Sequence, residues 1–305
     1  MSKVSYRVKN WNSYNQGLVR RGDLTLLIDE SVVRCWQSPE VSKQRGRPSR
    51  YHQDAILTCL IIRYAIGLPY RQTEGFICSI FKLMGVDLIA PDYSYLCKCA
   101  NSMALKESEI ASANTIAIDS SGFKIAGEGE WLVRTHGKKK RRKWLKLHIA
   151  VDVESRIITA NVLTPSNTHD ARVFEQLVPE NIKTILADGA YDSQAIHDKA
   201  TSAKAHAIVP PRTNSVLGPT PLDGEDESPR DQLILIQDLL GADWSKALGY
   251  NMRVHVEGAF SRIKRIFGDK IRSKGTQRQI NEMLTKIALL NQFTRIGMPV
   301  AVPVN

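Results

Sequence analysis

The chain has 305 residues, 43% hydrophobic and 24% charged, with 42 Lys and Arg against 31 Asp and Glu and a formal net charge of +11. Such a length can bury a full core and hold two units, and the mix excludes a disordered, fibrous or membrane-spanning chain. The cationic excess points to a polyanion, drawn by counterion release if it is nucleic acid, and away from a membrane surface, since no lipidation motif or basic amphipathic helix stands out.

Five cysteines (Cys35, Cys59, Cys78, Cys97, Cys99), odd in number and without a CxxC pair, argue against a disulfide framework or zinc site and suit a reduced compartment. The first residues, Met1 to Arg7, carry no apolar signal region, so the expected location is cytoplasmic. Residues 1–21 are polar with Trp11 and Tyr14 among basic residues, and read as an arm. Asp23 to Trp36 reads as one helix, with Leu24, Leu27, Ile28 and Val32 at helical spacing behind an Asp cap. A basic loop follows, Lys43 to Arg50. Its Arg45-Gly-Arg47-Pro48 core resembles AT-hook peptides that place two arginines in a narrow minor groove; a solvated basic linker is the plainer alternative.

Three helices come next. His52–Ala65 stops at Gly67-Leu-Pro69, Arg71–Met84 stops at Gly85, and a third runs from an Asp92 cap to about Met103. Tight turns between them fit a helix-turn-helix whose third helix enters the major groove; a small bundle that only packs on a neighbour is the alternative. Past a linker at Lys106–Asn114 the periodicity changes. Thr115–Asp119 reads as a short buried strand, and Trp144–Val153 with Arg156–Leu163 as a hairpin. His169–Leu177 is helical, Thr184–Ala187 a strand, Ser193–Ala203 a helix and His206–Val209 a strand. The segment 212–247, with acids including Asp223, Glu225 and Asp226 and the apolar run Leu233–Leu240, reads as an insertion bearing one helix. The last helix, Gln279–Phe293, is expected to pack on the sheet.

The chemistry concentrates in Tyr250-x2-Arg253-x3-Glu257-x6-Lys264. On one helix at ~100° per residue these four side chains share an arc of roughly 60°. Asp119 and Asp188 each follow a buried apolar run. Were their strands parallel neighbours, both carboxylates would emerge at one sheet end, and the helix carrying Glu257 would cross it. Three carboxylates make an all-oxygen cage for Mg²⁺ or Mn²⁺, suited to in-line phosphoryl transfer. Plainer readings exist for each: Asp188 as a turn former, Glu257 with Arg253 as a surface i, i+4 pair. Asp192 and His169-Asp170 read as helix caps, His255 as structural. Arg253 and Lys264 can bind phosphates flanking the scissile bond. The tract Arg134 to Lys146 holds eight Lys and Arg and no acid. Lys138, Lys139, Lys140, Arg141, Arg142 and Lys143 within it extend a phosphate track, with Trp131 and Trp144 at its base. Core packing is the favoured role for Trp144.

The four-residue signature, with the contexts Ile116-Ala-Ile-Asp119 and Leu186-Ala-Asp188-Gly-Ala-Tyr191, resembles bacterial insertion-sequence transposases of the DDE type, most closely the IS5 family. The resemblance runs from about Tyr51 to Phe293. It implies an α/β, RNase H-like catalytic core behind an all-α helix-turn-helix DNA-binding domain. The expected boundaries are 1–50 for the arm, helix and basic loop, 51–112 for the DNA-binding domain, 113–295 for the core and 296–305 for a tail. It implies Asp119, Asp188 and Glu257 as catalytic metal ligands and Tyr250 as a DNA contact. The partners implied are double-stranded DNA, as inverted repeats and target, and a second copy of the chain in the synaptic complex. A non-catalytic DNA-binding regulator and an RNase H-like host nuclease are the alternatives.

Overall fold

The computed structural model describes residues 5–37, 49–103, 113–126, 144–212, 214–218 and 227–304. Arg45, Arg47, Trp131 and Lys138 through Lys143 lie outside them. The chain divides into two compact units, residues 1–105 with 274–305, and residues 106–273. Among the described residues no helix is long and apolar enough to cross a membrane.

The first unit is helical. The expected arm is structured: β1 (Ser5–Val8) pairs antiparallel with the C-terminal strand Ala301–Val304, and α1 (Trp11–Arg20) follows. Asn10 bridges the two ends, donating to Met298 O at 3.0 Å and accepting from Val300 N at 2.8 Å. The helix expected over Asp23–Trp36 breaks into a 3₁₀ turn, Leu24–Leu26, and α2 (Glu30–Cys35). The break has a local cause. Asp29 accepts from Ser31 N at 2.7 Å, starting a second helix where the first would have continued.

Helices α3 (Gln53–Ile66), α4 (Tyr70–Met84) and α5 (Tyr93–Ser102) lie where the periodicity puts them. Gly67 and Gly85, at φ 82° and 67°, end the first two in the left-handed region that only glycine enters freely. Asp92 caps α5 through Ser94 N and Tyr95 N. Trp36 is wholly buried in this core, edge-on to Phe81, its indole N–H donating to Ile89 O at 3.0 Å. The last helix, Thr276–Ile296, was expected on the sheet but belongs to this unit, seated on α3 and α5. Its Asn281 amide donates to Ala100 O and Met103 O, each at 2.8 Å, satisfying carbonyls at the end of α5.

The second unit is built on a mixed sheet of order β4-β3-β2-β5-β6. Its strands are β2 (Thr115–Ile125), β3 (Trp144–Asp152), β4 (Ile158–Pro165), β5 (Thr184–Leu186) and β6 (His206–Ile208). The β2–β3–β4 meander is antiparallel, whereas β5 and β6 join it in parallel. The short β7 (Lys270–Ile271) pairs with the far end of β2. Ile116, Ile118 and Ala150 face a cluster holding Phe174 and Leu177 of α6 (Phe174–Leu177) and Ile196 and Ala200 of α7 (Gln194–Ser202). The helix expected over His169–Leu177 is thus only a 3₁₀ turn, Asp170–Arg172, and the single turn of α6.

The segment expected as an insertion carries α8 (Pro229–Leu240), capped by Ser228, and α9 (Trp244–Ala247). A buried ion pair ties α8 to the end of the sheet. Asp192, expected as a helix cap, has a side chain 1% exposed that accepts from Arg230 Nε at 2.8 Å and Nη2 at 3.2 Å. Arg212 N and Ser215 Oγ donate to it as well. Removing the guanidinium strands a buried carboxylate, so Arg230→Ala is expected to destabilise this unit by about 3 kcal/mol, read as a lower urea midpoint at neutral pH.

Candidate catalytic site

β2 and β5 run parallel and in register, with Ala117 opposite Leu186. Two residues beyond that pair on each strand stand Asp119 and Asp188. Asp119 does not end its strand, as expected, because β2 continues to Ile125. It sits instead where β2 loses its parallel neighbour, since β5 stops at Leu186. The opened edge leaves room for side chains from elsewhere. Asp188 also performs the plainer role foreseen for it: its Oδ1 accepts from Ala190 N at 2.9 Å and caps the turn Gly189–Tyr191. Its Oδ2 remains for the site.

The signature does not lie on one continuous helix. Tyr250–Arg253 forms a 3₁₀ turn, entered through Gly249 at φ 70°, and α10 (Val254–Phe267) begins only then. The stripe survives because three residues per turn set Tyr250 directly in line with Arg253. Val256, Ala259, Phe260, Ile263 and Phe267 form the buried side of α10, which packs on β2 and β3. Alternation along β2 puts Ala117, Asp119, Ser121 and Phe123 on one face, and the polar flank of α10 meets that face. Lys264 Nζ lies 2.6 Å from Ser121 Oγ and 5.4 Å from the centre of the Phe123 ring. Tyr250 is half-buried, its ring 5.0 Å from that of Trp244.

Arg253 joins the three acids. Its Nη2 lies 3.0 Å from Asp119 Oδ2 and 3.9 Å from Asp188 Oδ2, and its Nη1 lies 2.7 Å from Glu257 Oε1. The i, i+4 pair with Glu257 therefore exists, but the same guanidinium also serves two residues far away in sequence. Burial pushes the Asp119 carboxyl up; Ser120 N–H and Arg253 pull it down, Asp188 and Glu257 push it up again, and the balance is upward from its ordinary value. With all three acids ionised, three negative charges and one guanidinium leave −2 in a half-buried site.

The donor set is all carboxylate oxygen, which suits a hard divalent cation such as Mg²⁺ or Mn²⁺. As they stand, no three acidic, His or Cys side chains among the described residues come close enough together to hold an ion. The guanidinium stands between these three.

A second polar cluster was not legible in the sequence. Asp170, read there as a helix cap, lies 2.7 Å from Lys146 Nζ and 3.1 Å from His148 Nδ1. His148 is fully buried, and its Nε2 is 2.9 Å from Thr164 Oγ1. The available signal was Lys146 and His148 at i, i+2 on a strand, two polar side chains on a face that otherwise turns inward. Trp144, expected in the core, is 37% exposed. It lies over Gly122, where an added Cβ would come within 3.2 Å of the indole, so glycine is what lets the ring rest on the strand.

The fold and this geometry define a mixed α/β protein with an acidic, cation-bridged site where β5 ends beside the central strand β2. A family model described as a transposase DDE domain matches residues 111–292, more than half of the chain, and a second model of the same description matches residues 19–128. The chain belongs to the DDE transposase family. Among solved structures, it is similar to a piggyBac transposase synaptic complex with hairpin DNA at 12% identity, over 96% of this chain and 84% of that one, with a TM-score of 0.29. At that score the family assignment stands on the sequence models alone.

Burial pushes the Asp170 carboxyl up, but His148, Lys146 and Ser120 outweigh it and hold it down at about 2. Its folded value lies below the ordinary one near 3.9, so its contribution is complete above that pH and is lost as pH falls through about 2. The stability advantage of the wild type over Asp170→Asn should shrink as pH falls from about 4 to 2, as measured by urea unfolding.

Proposed function

We propose that this chain is a bacterial insertion-sequence transposase of the IS5 family, acting in the cytoplasm on nucleoid DNA. It binds the terminal inverted repeats of its element, cleaves to expose 3′-hydroxyls and joins them to target DNA, as a homodimer in the synaptic complex. The observation that carries the proposal is the meeting of Asp119, Asp188 and Glu257, from three distant segments, on one guanidinium beside the central strand β2. Accidental surface pairs do not draw two strands and a helix to a single cation.

In this reading Asp119, Asp188 and Glu257 would hold Mg²⁺ or Mn²⁺, which when bound supplies Lewis-acid polarisation of the phosphoryl group and a more acidic attacking water or hydroxyl. The protein's own part is positioning and charge. Lys264, steadied by Ser121 and Phe123, offers a compact cation to a phosphate beside the scissile bond, and Arg253 a forked donor. Tyr250 borders the same strip as a DNA contact. An all-α helix-turn-helix unit at 51–112 reads the element ends, helped by the arm and basic loop at 1–50 through Arg45 and Arg47. The catalytic core lies within 113–273, with 212–247 inserted, while the rest of the expected core to 295 and the expected tail 296–305 go with the helical unit. Lys138, Lys139, Lys140, Arg141, Arg142 and Lys143 line the DNA track.

Asp119→Ala, Asp188→Ala and Glu257→Ala should each lower Mg²⁺-dependent cleavage of a labelled fragment carrying the element's ends by at least ~100-fold, the scale of losing one electrostatic stabiliser. End binding in a gel-shift assay should persist. A variant that still cleaves normally removes its residue from the site. Lys264→Ala should weaken binding alike for all sequences and reduce the slope of log K against log salt by about 1. An unchanged slope would remove Lys264 from the phosphate contacts.

A further inference from the structure

Arg253 occupies the position that the three acids would have to share. Both of its terminal nitrogens are engaged, one with Glu257 at 2.7 Å, the other with Asp119 at 3.0 Å and within 3.9 Å of Asp188. The side chain is 15% exposed, and its Nε is buried without a hydrogen-bond partner. Carboxylate oxygens must approach Mg²⁺ to about 2.0–2.1 Å. Here the inward oxygens of Asp119 and Glu257 instead accept N–H groups from Arg253, with Asp188 Oδ2 at ion-pair distance, and a divalent ion among them would sit against a fixed positive charge.

From this geometry we infer that Arg253 is the resident counter-cation of Asp119, Asp188 and Glu257, and that guanidinium and divalent ion exclude one another there. The inference rests on the reading of Asp119, Asp188 and Glu257 as metal ligands. Entry of the ion releases Arg253, and a released arginine beside a scissile phosphodiester finds its new acceptor on DNA. Metal binding and DNA binding then reinforce each other through one side chain, because whatever engages Arg253 elsewhere vacates the acids. Linkage makes the effect reciprocal. The backbone suits such a move: Arg253 ends a four-residue 3₁₀ turn between a left-handed Gly249 and the first turn of α10, where no continuous α-helical ladder fixes it.

The test is Mn²⁺ binding to the full chain by titration calorimetry, with and without a short duplex. Without DNA, Arg253→Ala should bind Mn²⁺ about tenfold more tightly than the wild type. Adding duplex should tighten Mn²⁺ binding to the wild type by a similar factor and leave the variant unchanged. Arg253→Gln, closer in shape, should follow Arg253→Ala and serves in its place should the smaller residue lower the melting temperature. Equal or weaker Mn²⁺ binding in a folded Arg253 variant overturns the inference, as does an equal response of variant and wild type to duplex. Asp119→Ala separates the two layers. Its loss of Mn²⁺ binding with no gain in the Arg253 variants sinks only the counter-cation role. Wild-type Mn²⁺ affinity in Asp119→Ala sinks the metal reading beneath it, and the inference with it.

Discussion

The parallel, in-register pairing of β2 with β5 is the constraint on which the site depends. Side chains alternate faces with a period of two, so a slip of one residue would turn Asp188 away from Asp119 altogether. Three residue pairs in the parallel ladder, from Thr115 opposite Thr184 to Ala117 opposite Leu186, hold the register. Buried Ile116, Ile118, Ile185 and Ala187, packed in one cluster, make the alternative register costly by turning apolar side chains outward. The core thus stabilises the fold and aligns two acids that contribute nothing to its packing.

Helix α10 completes the arrangement by opposite means. Its apolar side settles on β2 and β3, and this alone determines how its flank presents Arg253, Glu257 and Lys264 to the row Asp119, Ser121 and Phe123. An isolated exposed pair such as Arg34 with Glu30 contributes little, since water solvates both partners nearly as well apart. The Arg253 cluster differs because one largely enclosed guanidinium is shared among three acids and does not balance them. The residual negative charge stands beside Lys264, in a chain of formal net charge +11.

Asp170 and Asp192 show how a cap composition in sequence can serve a distant partner instead. Each precedes a helical segment and has the composition of a cap. In each case a partner remote along the chain, Lys146 with His148 or Arg230, binds the carboxylate more strongly than a local N–H could. The Asp23–Trp36 segment failed in the other direction. There a local bond from Asp29 overrode a periodic apolar pattern. Tyr250 shows a third cause, the change from 3₁₀ to α geometry at Arg253, which residue spacing does not reveal because both periods keep i and i+3 together.

What the amino-acid sequence determined by itself was whatever depends on short-range periodicity and residue chemistry. That includes the helices α3 to α5 with their glycine stops and Asp92 cap, the strands around Asp119 and Asp188, the cationic excess, and the acids and cations of the signature. Tertiary structure alone decided which of these meet. It made Arg253 the bridge among the acids, drew Asp170 and Asp192 to distant cations, placed Trp144 on the surface over Gly122, and seated the last helix on α3 and α5. The physical reason is that periodicity reports which face of an element is apolar, whereas the partner of a charged group is selected by burial and strand register, and these exist only once separate segments have packed.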